Sequence, residues 1–218
     1  SRGLGDVYKR QSSVKIPEAV LNDGRALIIA GSTWPGDEAI VIPGFARIKA
    51  EHPETAMIVV PHEPTGPRLS QIEKKLEENG MPSVRLSAYK TRDDAIPVII
   101  ADGVGYLAEL YRAGDIAYVG GSWTTGVHNV MEPAVLGLPV FFGPRIDNSW
   151  EAGMLVRLGA GRVVRTHEEF AREAGDLLLD RERLAGLGEK AAKFIRSGCG
   201  AAPRCLALIE KHMERRKA

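Results

Sequence analysis

The sequence is short of the features that would settle its class at once, and each absence excludes something. It has two cysteines in 218 residues, Cys199 and Cys205, both late in the chain. No signal peptide precedes them, so no disulfide framework is expected and both read as free thiols. No apolar run reaches the ~18 residues that cross a bilayer, so this stretch is expected to be soluble, whatever anchors a larger parent protein. An excess of one charge is also missing: 29 Lys and Arg face 28 Asp and Glu, for a net charge of +1. That argues against nucleic acid as a partner and against an acidic disordered tail. His52, His167 and His212 have no metal-ligand spacing with each other or with the cysteines, so no metal site and no cofactor are expected. No internal repeat or low-complexity segment is present.

What is there suits one large α/β domain. The opening Ser1 to Gln11 (SRGLGDVYKRQ) has no clear period and no initiating Met. It is expected to be a non-native leader, with residues 12–218 forming the domain; a native linker is the alternative. Both readings imply a natural segment ahead of residue 12.

Short apolar runs at Arg25–Ala30, Thr55–Val60, Ser83–Leu86, Pro97–Ala101, Ile116–Val119, Pro139–Phe142 and Gly161–Val164 predict strands. Helical periods between them predict helices at Asp37–Ala50, Pro67–Asn79, Val104–Arg112, His128–Leu136, Ser149–Leu158 and Glu168–Leu179. Leu184–Arg196 and Ala202–Arg216 predict terminal helices. Pro43 and Gly44 weaken the first helix, since proline removes a hydrogen bond. Strands alternating with helices imply βαβ units and a parallel sheet covered on both faces. Ligands of such sheets bind beyond the carboxyl ends of the strands. Gly31-Ser32-Thr33, Pro61-His62, Asp102-Gly103 and Gly120-Gly121-Ser122 each follow a strand there.

Val119 to Pro144 (VGGSWTTGVHNVMEPAVLGLPVFFGP) is the most informative stretch. Gly120, Gly121 and Gly126 let backbone N–H groups approach a ligand. A helix expected to start near His128 or Asn129 offers N–H groups to a phosphate. Glu132 is placed to accept from two ribose hydroxyls. Asn129 to Glu132 also fits a capping box, N-x-x-E, with no further role.

Gly103-Val104-Gly105-Tyr106-Leu107-Ala108 satisfies the dinucleotide pattern G-x-G-x-x-A. The next strand, however, ends at Gly120-Gly121-Ser122 without the acid that would hold a ribose. Ser32 and Thr33 read either as hydrogen-bond donors to a phosphate or sugar carboxylate, or as an ordinary N-cap pair before Gly36-Asp37-Glu38. Arg145 and Asn148 read as a solvated loop within reach of a sugar.

The stretch resembles the G-G-S…G-x-H-N-x-x-E-P-A…G-x-P-V-x-F-G-P signature of the 3-deoxy-D-manno-octulosonic acid (Kdo) transferases, which have the two-domain GT-B fold. Further likenesses keep their order over roughly residues 25 to 165. Gly31 to Glu38 (GSTWPGDE) is similar to S-T-x-x-G-E-E. Val60 to Pro64 (VPHEP) is similar to V-P-R-H-P, Asp102 to Tyr106 to D-T-M-G-E, and Asp115 to Gly121 to D-x-x-F-V-G-G.

The resemblance implies the C-terminal, donor-binding domain of such an enzyme, α/β with a Rossmann-like parallel sheet and helices on both faces. It implies a CMP-binding edge of Pro61, His62, Val104, Gly105, Tyr106, Asn129, Val130, Met131 and Glu132. Ser32, Thr33, Gly121, Ser122, Gly126 and His128 are further donor contacts. Gly105 is expected to head a helix that receives phosphate. Two positions depart from the family: His62 where many members have arginine, and Tyr106 where they have glutamate. Arginine is a permanent bidentate phosphate ligand, whereas histidine is largely neutral near pH 7.

The implied donor is CMP-Kdo and the implied acceptor a lipid A precursor, at the cytoplasmic face of a bacterial inner membrane. The general base is expected in an N-terminal domain absent from this sequence, so the chain alone is expected to be inactive. The donor half of another GT-B enzyme using a UDP- or GDP-sugar, and a non-catalytic Rossmann-like or NAD-linked module, remain alternatives.

Overall fold

The structure is a computed structural model that describes residues 16–21 and 23–198. The expected leader, the expected helix from Ala202 to Arg216, Cys199, Cys205 and His212 lie outside the described residues. Seven strands form one sheet: β1 (Ala26–Thr33), β2 (Thr55–Pro61), β3 (Ser83–Arg85), β4 (Val98–Ile100), β5 (Ile116–Val119), β6 (Val140–Phe142) and β7 (Gly161–Val163). All pair in parallel, in the order β3-β4-β2-β1-β5-β6-β7. The helices are α1 (Glu18–Leu21), α2 (Pro35–Glu51), α3 (Gly66–Glu78), α4 (Leu107–Ala113), α5 (Met131–Val135), α6 (Trp150–Arg157), α7 (His167–Leu179) and α8 (Arg181–Gly198).

Alternation along the strands explains why both faces are covered. On one face Ile28, Ala30, Met57, Val59, Ile116 and Tyr118 meet Val41, Ile42 and Phe45 of α2, Leu69 and Ile72 of α3, and Phe170 of α7. On the other, Leu27, Ile29, Ala56 and Ile58 meet Leu110 and Tyr111 of α4. Val119, Val140 and Phe142 continue that packing toward Val130, Ala134, Leu155 and Ala191. Each such Ile or Phe contributes about 1.5–3 kcal/mol on full burial. The two-sided parallel sheet is the architecture expected from the sequence.

Several helices differ from expectation, three of them for a clear physical reason. α2 runs unbroken through Pro43 and Gly44. Pro43 gives up one N–H, but Val41, Ile42, Phe45 and Ile48 are fully buried. Gly44 also lets α7 come close, since a Cβ there would meet Phe170 at 2.7 Å and the His167 carbonyl at 2.9 Å. α4 starts at Leu107 and not at Val104, because Gly105 has φ +88°, a left-handed conformation that breaks the helical path. Gly105 therefore does not head the helix. α5 starts at Met131 and not at His128, because the Asn129 side chain accepts the Met131 N–H at 3.0 Å and holds the chain in a turn.

Candidate functional site

The strand order reverses at β1, whose neighbours are β2 on one side and β5 on the other. Beyond the carboxyl ends of these three strands the chain opens a crevice, the place where such sheets hold ligands. β1 ends in a register irregularity between Gly31 and Thr33. Ser32 there has φ +53°, an uncommon conformation for a residue with a side chain.

The loop after β5 is stitched to this edge. Gly120 N–H donates to the Gly31 carbonyl at 2.9 Å, and His128 N–H donates to the Gly120 carbonyl at 3.0 Å. Gly126 N–H donates to the Gly121 carbonyl at 3.1 Å. Gly121 (φ +95°) and Gly126 (φ +122°) take conformations that favour glycine. Asn148 Nδ2 braces the loop from outside by donating to the Val127 carbonyl at 2.8 Å, and Arg145 Nη1 donates to the Thr124 carbonyl.

Asp37 ties the two loops together. Its Oδ2 accepts from Trp34 N–H at 2.9 Å and from Gly121 N–H at 3.0 Å, and its Oδ1 accepts from the Tyr118 hydroxyl at 3.0 Å. Burial pushes its pKa above the usual carboxylate range, and these hydrogen bonds oppose the rise. Burial likewise raises Glu38, against the pull of the Arg68 guanidinium that pairs with it. Glu38 also accepts from the Thr33 hydroxyl at 2.9 Å. That hydroxyl is therefore committed inside the protein. Ser122 is fully buried, and its hydroxyl oxygen has no hydrogen-bond partner. Ser32 is half-buried at the rim.

The remaining expected residues fall into two groups. His62 is exposed just after β2, and its N–H donates to the Thr33 carbonyl at 3.0 Å. Pro61 is buried as the last residue of that strand. Val104 is 74% exposed, Gly105 is exposed, and the Tyr106 ring folds back over Gly103. α4, which follows this loop, packs on α5, which follows Asn129. There Asn129 Nδ2 donates to Glu132 Oε1 at 3.1 Å. The capping box that the spacing also allowed is not formed: the Asn129 side chain holds the Met131 N–H and the Glu132 carboxylate. Glu132 is thereby fixed at the rim, half-buried, beside the exposed Met131 and the buried Val130. Burial and then the charge of Glu132 push up the hydroxyl pKa of Tyr111 beneath it.

Sequence reasoning missed Trp34, Trp123 and the role of Asp37. Trp34 Nε1 donates to His128 Nε2 at 2.9 Å, and His62 stacks on both rings. Trp123 sits against Gly36 and Gly143 and donates to the Tyr118 hydroxyl at 3.1 Å. The glycines facing Trp123 were a signal, but only once the loops are brought together. Among the described residues no cluster of His, Cys, Asp or Glu is arranged to hold a metal ion. No described helix is long and apolar enough to cross a membrane.

No protein-family model matches the chain. It is 30% identical over 194 residues to the 3-deoxy-D-manno-octulosonic acid transferase of Haemophilus influenzae, covering 88% of this chain and 45% of that protein. It is 32% identical over 155 residues to the enzyme of the same name from Aquifex aeolicus, covering 69% and 41%. The chain thus spans less than half the length of these curated relatives. Among solved structures it matches the C-terminal CMP-Kdo binding domain of WaaA from Acinetobacter baumannii with a TM-score of 0.71 at 22% identity, covering 87% of this chain and 97% of that one. It also matches HepE from Anabaena, in complex with UDP-glucose, with a TM-score of 0.60 at 15% identity, covering 89% and 49%. By sequence the chain is similar to a little under half of these Kdo transferases, and its fold is that of the C-terminal domain of a GT-B glycosyltransferase.

Proposed function

We propose that the chain is the donor-binding half of a glycosyltransferase that moves Kdo from CMP-Kdo to a hydroxyl of a lipid A precursor in lipopolysaccharide biosynthesis. The observation that carries this reading is the run from Gly120 to Glu132. It holds the family's G-x-H-N-x-x-E-P residues at the switch point of the sheet, with Glu132 fixed by Asn129. CMP lies along Pro61 and His62, the Val104-Gly105-Tyr106 loop, and Asn129 to Glu132, with Glu132 accepting from the ribose hydroxyls. Ser32, Gly121, Gly126 and His128 line the way to the sugar.

The transfer needs a base for the acceptor hydroxyl and stabilisation of the phosphate charge on the departing CMP. This half supplies the second. The base and the acceptor surface belong to an N-terminal domain of the whole enzyme, which works at the cytoplasmic face of the inner membrane. The chain alone binds donor without turning it over. Because His62 stands where many relatives have arginine, the permanent bidentate phosphate ligand is missing there and the hold on phosphate is weaker.

The fold shared with HepE in its UDP-glucose complex favours a UDP-sugar as the second reading. Titration of CMP, UMP, GMP and NAD into the full chain, followed by calorimetry or amide shifts, separates them. CMP is expected to bind selectively at about 0.1–10 mM, roughly −3 to −5.5 kcal/mol, and Glu132→Ala to abolish it. Preference for UMP or GMP would overturn the donor and keep the fold; binding of NAD alone would overturn the glycosyltransferase reading.

A further inference from the structure

Three rings from three strand ends meet at the crevice. Trp34 follows β1, His62 follows β2, and His128 closes the glycine loop after β5. Trp34 Nε1 donates to His128 Nε2 at 2.9 Å, and the two ring planes are 12° from parallel. His62 lies across both, with centroids 4.8 Å from Trp34 and 4.6 Å from His128. An indole N–H can only donate. Nε2 of His128 therefore keeps its lone pair, and the proton of the neutral ring is at Nδ1.

The His128 ring packs close on Gly121, a position with no side chain. A Cβ at Gly121 would come within 2.6 Å of its Cδ2 and 3.0 Å of its Nε2. Among the described residues no group accepts from Nδ1. The neighbouring carboxylates are engaged elsewhere: Asp37 by Trp34 and Gly121 N–H and by Tyr118, Glu38 by Arg68 and Thr33. On its other side Trp34 borders a hollow of about 130 Å³ that Glu63 and Arg68 also line.

We propose that Trp34 is a positioning residue of the donor site, holding His128 as the Nδ1–H tautomer so that this N–H is offered to an anionic oxygen of the nucleotide sugar. The second half of this statement rests on the donor-site reading above; the first does not. Burial and the neighbouring His62 disfavour a charged His128, in keeping with a neutral donor there.

The test is a long-range proton–nitrogen NMR spectrum of the imidazoles in the full chain at neutral pH, first without ligand and then with CMP. His128 is assigned by its loss in His128→Gln. The wild type is expected to show a protonated Nδ1 and a bare Nε2. Trp34→Phe keeps an aromatic ring beside His62 and removes the N–H donor. It is expected to return His128 to a tautomer mixture and to weaken CMP about fivefold, the worth of one hydrogen bond. A protonated Nε2 in the wild type overturns the proposal without need of any variant. So does an unchanged tautomer, or unchanged CMP affinity, in Trp34→Phe. CMP that binds neither protein overturns the donor-site reading instead, and the ligand-free spectra still decide what the indole does.

Discussion

Asp37 is a fully buried carboxylate with no cation within ion-pair distance among the described residues, held by two backbone N–H groups and one phenol. Replacing it with alanine strands those donors, and each buried unsatisfied group costs about 1–3 kcal/mol. Asp37→Ala is therefore expected to lose about 3 kcal/mol or more in denaturant unfolding, and to loosen the Gly121 loop even where the chain still folds. His128 makes a second contribution, through pH. Burial and His62 hold its pKa below the ordinary 6.5. The unfolded chain then takes up a proton in the interval below 6.5 where the folded one does not, so stability present above 6.5 is lost as pH falls through that interval. His128→Gln, which can still accept from Trp34, is expected to flatten this part of the stability–pH curve relative to the wild type. Glu132 and His128 were legible in the sequence because they lie in one continuous run. Asp37 and Trp34 were not, because their partners Gly121 and His128 stand 84 and 94 residues away.

α8 illustrates how neighbouring positions of one helix can answer the same change oppositely. Gly186 is exposed and has nothing within 4 Å of an added Cβ. Gly188 is buried against the turn after α5, where a Cβ would overlap the Gly137 carbonyl oxygen and meet its carbon at 2.8 Å. Gly186→Ala is expected to stabilise by about 0.5–1 kcal/mol through helix propensity. Gly188→Ala is expected to destabilise by about 1–3 kcal/mol through overpacking. Paired denaturant curves check both signs. The elements themselves were legible from apolar period, since buried parallel strands and amphipathic helices leave strong patterns. The starts of α4 and α5 were misplaced because a left-handed Gly105 and the Asn129 side chain act on the backbone in ways that no period records. α2 survived its proline because packing on α7 outweighs one missing hydrogen bond.

The sheet order decides where all of this converges. β1 is central, and among the described residues its neighbour β5 joins the first half of the chain to the second, through Ile28 to Gly31 against Ile116 to Val119. The parallel order followed from the strand–helix alternation, and the edge where it reverses is where such sheets hold ligands. Which base or sugar enters it is not written in the fold, as the shared architecture with HepE illustrates. The seam also has a history in time. The Leu27 N–H reaches the Asp115 carboxylate at 2.8 Å across 88 residues of chain. During synthesis β1 can pair with β2 early, but its other edge stays bare until β5 has left the ribosome. An apolar edge in waiting invites strands from other molecules, so the stretch of translation between β2 and β5 is when the chain is most open to mispairing.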